Sequence, residues 1–133
     1  MTGEIGIVAG IGYRGSATAS DVIAVVRKAM DEFGVDAVVG LAFPGFKPDS
    51  DNAPMEAAQS LGLPVTRVED QALSRVAPRC LSAMRHAMPG AGDKSVAEAC
   101  ALAAAGEGGA LLGPRVLGEL ASCALARGPV RQL

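Results

Sequence analysis

The sequence predicts an α/β fold: a single three-layer α/β/α domain over residues 1–133, with a mixed, mostly parallel sheet finished by a C-terminal antiparallel hairpin. Three observations carry this. Short apolar runs alternate with stretches of helical period, in the order strand, helix, strand, helix, strand, helix. The last part of the chain holds two further apolar runs joined about Leu117-Gly118, the pattern of neighbouring antiparallel strands. A chain of 133 residues, 50% hydrophobic, is long enough to bury one core without disulfides or a structural metal.

Each element has its own reason. Ile5-Gly6-Ile7-Val8-Ala9 reads as a buried first strand, and Gly10-Ile11-Gly12-Tyr13-Arg14-Gly15 as a glycine-rich turn leading to a helix. That helix, Asp21 to Phe33, shows Val22, Val25, Val26, Ala29, Met30 and Phe33 on one face; Thr18 or Ser20 caps it and it ends near Gly34. Ala37 to Ala42 is the second strand, closing at Phe43, and the Pro-, Gly-, Asp- and Ser-rich segment Pro44 to Asn52 is a loop. A second helix runs from Glu56 to Leu61, stopped by Gly62. Leu63 to Val68 is a short strand, and Glu69 to Val76 a short helix or turn ended by Pro78. Cys80 to Met88 alternates poorly and suits a strand or a helix equally. Ser95-Val96-Ala97-Glu98 has the spacing of a capping box, with Glu98 reaching back, and opens a helix of small residues ending at Gly106. Ala110 to Val116 and Glu119 to Ala126 form the closing hairpin.

The first glycine segment matches G-x-G-x-x-G, but the dinucleotide reading fails. It requires an acidic residue about 20 positions on, at the end of the second strand, to hold a ribose hydroxyl. Asp36 stands at the wrong end of that strand. Arg14 sits inside the turn, and its forked donors suit carboxylates as well as phosphates. Two readings stay open here: a built anion site, or a plain turn with a surface arginine.

Composition narrows the function classes. Tyr13, Phe33, Phe43 and Phe46 are the only aromatics, too few for a base-stacking platform. A net charge of −2 provides no footprint for DNA or RNA. Cys80, Cys100 and Cys123 are odd in number and set among small or apolar neighbours, as buried thiols of a reducing compartment are. With His86 as the lone histidine and no C-x-x-C, no metal site and no cofactor are expected; His86 is read as surface or half-buried. No signal peptide and no membrane-length apolar run is evident, so a cytoplasmic protein without membrane contact is expected.

In order and spacing the chain resembles the CobE proteins and the C-terminal domain of CbiG, of cobalamin biosynthesis. The residues that carry the resemblance are Gly10-Ile11-Gly12-Tyr13-Arg14, Lys47 and Asp49, Leu61-Gly62-Leu63-Pro64, Ser95-Val96-Ala97-Glu98-Ala99, Leu111-Leu112 and Ala121-Ser122-Cys123-Ala124-Leu125-Ala126. Tyr13 replaces the family's usual cysteine, Lys47-Pro48-Asp49-Ser50-Asp51 replaces its K-x-D-E, and Pro114-Arg115 stands where it tends to have a lysine.

The resemblance implies a role in the corrin-ring pathway, with a precorrin or hydrogenobyrinic acid-type intermediate as ligand and other pathway enzymes as partners. The match covers only the C-terminal portion of CbiG, which opens a precorrin lactone, so a stand-alone CobE-like accessory or carrier protein is expected ahead of a hydrolase. Such rings carry several carboxylates and call for distributed cations and N–H donors around an apolar shelf. The expected substrate-binding residues are Gly10, Gly12, Tyr13, Arg14, Lys47, Ser95 and Glu98, gathered at the C-terminal edge of the parallel strands. Phe43, Phe46 and Tyr13 either face the ring or pack their loops. Asp49, Asp51 and Glu98 are the acid–base candidates if the protein is an enzyme, although a turn explains the first two and a helix cap the third. The remaining alternatives are a phosphate or nucleotide binder using the glycine turn, and a scaffold for a pathway enzyme.

Overall fold

Alternation along the first strand sorts the core into two layers. In the computed structural model, which describes residues 5–47 and 52–130 and all their side chains except those of Arg85 and His86, β1 spans Gly6–Tyr13. Ala9, Ile11 and Tyr13 face one cluster with Val22, Val25, Val26 and Ala29. Val8 faces the other, with Leu73, Val96, Ala97 and Leu102. The helices α1 (Ala19–Phe33) and α2 (Ala53–Leu61) cover the first face, and α3 (Asp70–Val76) and α4 (Val96–Ala105) the second. The expected three-layer α/β/α arrangement is what the chain adopts.

The main sheet runs β3 (Val65–Val68), β2 (Gly40–Pro44), β1, β8 (Ala121–Gly128), β6 (Ala110–Leu111), and β7 (Val116–Leu117) also pairs with β8. β1, β2 and β3 are parallel neighbours. β8 lies antiparallel to β1, β6 and β7. A separate two-stranded sheet joins β4 (Ala83–Met88) to β5 (Gly92–Lys94).

Local chemistry sets the ends of α1. Thr18 caps it in a full capping box with Asp21, and Gly34 closes it at φ 64°, a left-handed conformation that glycine adopts without a Cβ penalty. α4 is buried from Val96 through Leu102 and lies directly on the sheet. A Cβ on Gly10 would overlap the Ala97 carbonyl and the Ala101 backbone, so glycine is what lets this helix approach β1.

Several boundaries differ from expectation. Gly10 and Gly12 belong to β1, which continues to Tyr13; the turn is confined to residues 15–16. Glycine within a strand resembles a turn in sequence, whereas here it is the seat of α4. β2 begins at Gly40, three residues later than its apolar run, and α2 begins earlier, at Ala53, with Pro54 in its first turn. Cys80 to Met88 resolves into the approach to β4 and β4 itself, paired with the unforeseen β5. The closing hairpin is present, but its first strand is broken into β6 and β7 by residues 112–115. Ser95 caps α4 as expected, accepting from the Glu98 N–H at 3.2 Å. The Glu98 carboxylate, however, does not reach back to Ser95, whose N–H donates to the Ser82 carbonyl.

Candidate binding site at the C-terminal edge of the parallel strands

The C-terminal ends of β1 and β2, the first residues of β8 and the first turn of α4 surround one open cavity of about 630 Å³. Gly12 and Tyr13 enter it from β1 and Arg14 from just beyond its end, Phe46 and Lys47 from the loop after β2, and Val96 and Ala97 from α4. Met84 and Met88 of β4 form another wall. Arg115, Leu117 and residues 118–122 complete the rim. The arrangement follows from topology: parallel strands end together, and the loops that follow them diverge and leave a crevice.

The cationic side is fastened at several points. The Arg14 N–H donates to the Leu120 carbonyl at 3.0 Å, which ties the end of β1 to the segment before β8. The Lys47 ammonium lies 4.8 Å from the centre of the Tyr13 ring. Arg67 donates to the Lys47 carbonyl at 3.2 Å and lies 5.1 Å from the centre of the Phe43 ring, so it braces the loop from below. Lys28 of α1 donates to the Leu117 carbonyl at 2.8 Å. Among the described residues, neither Arg14, Lys47 nor Arg115 is paired with a carboxylate. Among the described residues, Glu119 is the one acid on the cavity lining.

Glu98 stands behind this wall, fully buried. Its Oε1 accepts the N–H groups of Leu81 at 2.7 Å and Ser82 at 2.8 Å. Its Oε2 accepts the Ser82 hydroxyl at 2.7 Å and the Arg115 N–H at 2.8 Å. Such charge-assisted bonds are what make a buried carboxylate tolerable.

Of the residues predicted for binding, the cavity brings together Gly12, Tyr13, Arg14 and Lys47. Gly10, Ser95 and Glu98 do not line it: Gly10 lies beneath α4, and the other two hold the start of α4 from inside. Phe46 lines the cavity, whereas Phe43 is 1% exposed and belongs to the core. Gly10 and Gly12 are strand residues and not a turn, and at the N-terminus of α1 the Asp21 carboxylate accepts the Thr18 N–H at 2.8 Å. Of the two readings left open for this segment, an anion site built on a backbone N–H cradle has no glycine turn at Gly10 and Gly12 to form it, while Arg14 lines the cavity. Asp49, Asp51 and the side chain of His86 lie outside the described residues.

Arg115 and the two methionines were missed as lining residues. Met84 and Met88 are four apart, a spacing that shares one face in a helix or a regular strand alike, but nothing in the sequence placed their segment beside this cavity. A second depression of about 510 Å³, near Phe33 and Asp36, lies at the opposite end of β1, and among the described residues Arg127 is the one cation on its lining. The three cysteines are free and buried. Among the described residues no three His, Cys, Asp or Glu side chains come together as a metal-binding group, and no helix is long and apolar enough to cross a membrane.

The family profile described as cobalamin synthesis G C-terminus matches residues 7–126. Among solved structures, that of CobE, a protein from the cobalamin (vitamin B12) biosynthetic pathway, is 33% identical, covers 92% of this chain and 93% of its own, and superposes with a TM-score of 0.85. The cobalamin biosynthesis protein chiG from Agrobacterium tumefaciens is 38% identical over 90% of this chain and 96% of its own, with a TM-score of 0.71. A putative cobalamin biosynthesis protein G homolog from Sulfolobus solfataricus, 16% identical, shares the fold over 92% of this chain and 37% of its own, with a TM-score of 0.70. No curated protein sequence matches.

Proposed function

The chain belongs to the cobalamin synthesis G C-terminus family of cobalamin biosynthesis proteins, and on that premise we propose that it binds a corrin-ring intermediate, of the precorrin or hydrogenobyrinic acid type, in the cavity at the end of β1 and β2. The observation that carries the reading is the pairing of Arg14 and Lys47 with an apolar lining of Phe46, Met84, Met88 and Val96. A flat ring with carboxylates at its periphery needs both: an apolar surface for the macrocycle and fixed cations at its edge.

The role is that of a binding or carrying protein. The four donors around Glu98 engage both carboxylate oxygens and the residue does not line the cavity, so it is placed to hold neighbouring segments and not to touch a ligand. Titration with cobyrinic acid, followed by visible absorbance and calorimetry with an adenine nucleotide as control, tests the reading. Micromolar binding of the ring acid, a ring spectrum that does not evolve, and no binding of the nucleotide are expected. A spectrum that evolves with turnover makes the protein an enzyme instead, and failure to bind the ring acid overturns the proposal.

A further inference from the structure

We infer that Arg115 is a further ligand anchor of this cavity and that Glu98 is the residue that positions it; the inference rests on the binding reading above. Arg115 is half-buried on the cavity lining, carries no carboxylate partner among the described residues, and precedes β7, which lies across β8 from the strand that leads to Arg14. Its segment departs from the sheet for a specific reason. Leu112 donates to the Leu125 carbonyl at 2.9 Å and Val116 pairs with Cys123, so both flanks remain on β8. Between them the Arg115 N–H turns away and donates to Glu98 at 2.8 Å. Pro114, with no N–H to satisfy, makes that departure tolerable.

The same carboxylate holds the start of the β4 arm through Leu81 and Ser82. One buried acid therefore sets the spacing between the segment that carries Arg115 and the segment that leads to Met84. With its backbone N–H held this way, Arg115 starts from a fixed main-chain position, so less freedom is lost when its guanidinium meets a carboxylate. The ligand class that exploits the site is an anion whose carboxylates are spread far enough apart to meet Arg14 and Arg115 together.

The test compares cobyrinic acid with the same ring bearing amidated side chains. Arg115→Met lowers affinity for the acid by about tenfold or more, the scale of a charged hydrogen bond. Affinity for the amidated ring stays within about twofold, and Arg115→Lys restores part of the loss for the acid. Equal losses for acid and amide, or no loss for either, overturn the anchor while leaving the binding proposal standing. No binding of the acid by the unaltered protein overturns both.

Positioning is read from a double-mutant cycle: in a Glu98→Gln background the Arg115→Met penalty shrinks, whereas an unchanged penalty overturns the role of Glu98. Should Glu98→Gln not fold, amide exchange of the unaltered protein decides. A protected Arg115 N–H supports positioning, and rapid exchange at that amide overturns it.

Discussion

Lys47 rests its ammonium against the Tyr13 ring, 4.8 Å from the centroid, at the mouth of the cavity. The contact joins the loop after β2 to the end of β1 and points the charge along the rim. Such a contact is worth about 0.5–1 kcal/mol at an exposed site, enough to bias a flexible side chain without trapping it. Lys47→Met, which keeps the length and removes the charge, is expected to weaken binding of a corrin acid by about 1.5–3 kcal/mol. It should also flatten the dependence of affinity on salt. Calorimetry at two ionic strengths measures both; an unchanged affinity and slope would remove Lys47 from the site.

Gly10 has no room for a side chain, since a Cβ there would meet the backbone of α4 at Ala97 and Ala101. Backbone cannot rotate aside as a side-chain tip can. Gly10→Ala is therefore expected to destabilise the fold by about 1–3 kcal/mol or more, seen as a lower denaturant midpoint. A midpoint equal to that of the unaltered protein would mean that α4 does not sit so close to β1.

Gly10 and Gly12 of β1 also mark where reading from sequence stops. The apolar stripe of α1 and its ends at Thr18 and Gly34 were legible because the helix meets the core on one face and carries its own caps. The continuation of β1 through Gly10 and Gly12 was not, because the residue that explains Gly10 is Ala97, far along the chain. Glu98 looked like a local cap, yet its carboxylate serves Leu81, Ser82 and Arg115, partners that no spacing rule connects. The same bond accounts for the broken strand between β6 and β7. At the site, Tyr13, Arg14 and Lys47 could be chosen because they follow the first two apolar runs and belong to the segments that carry the family resemblance. Met84 and Met88 depended on an arm whose pairing is local but irregular.

Removing the Ser82 hydroxyl deletes one donor to the buried Glu98 carboxylate. Ser82→Ala is expected to cost about 1.5–3 kcal/mol, and Glu98→Ala more, because the Leu81, Ser82 and Arg115 N–H groups then lose their acceptor. Urea unfolding of the two variants ranks them. Equal stability of both with the unaltered protein would contradict the bracing role.

Burial, with Glu98 nearby, raises the Cys80 thiol from its ordinary 9.0 to about 11, and burial pushes Cys100 and Cys123 up further. Between pH 9.0 and about 11 the folded state thus keeps a proton at Cys80 that the unfolded chain has lost. Stability from this thiol is fully present below pH 9.0 and declines as pH rises through that window. Thermal midpoints across the window should fall, and fall less steeply in Cys80→Ser. A slope unaffected by the substitution would rule out this contribution.

Amide chemical-shift mapping on the isotopically labelled protein, during titration with cobyrinic acid, locates the ligand directly. The account predicts that the largest shifts fall on Gly12, Arg14, Lys47, Ala97 and Arg115, around the cavity at the end of β1 and β2. Shifts concentrated instead on Val35, Asp36 and Leu112, at the depression on the opposite end of β1, or no shifts at all, would contradict it.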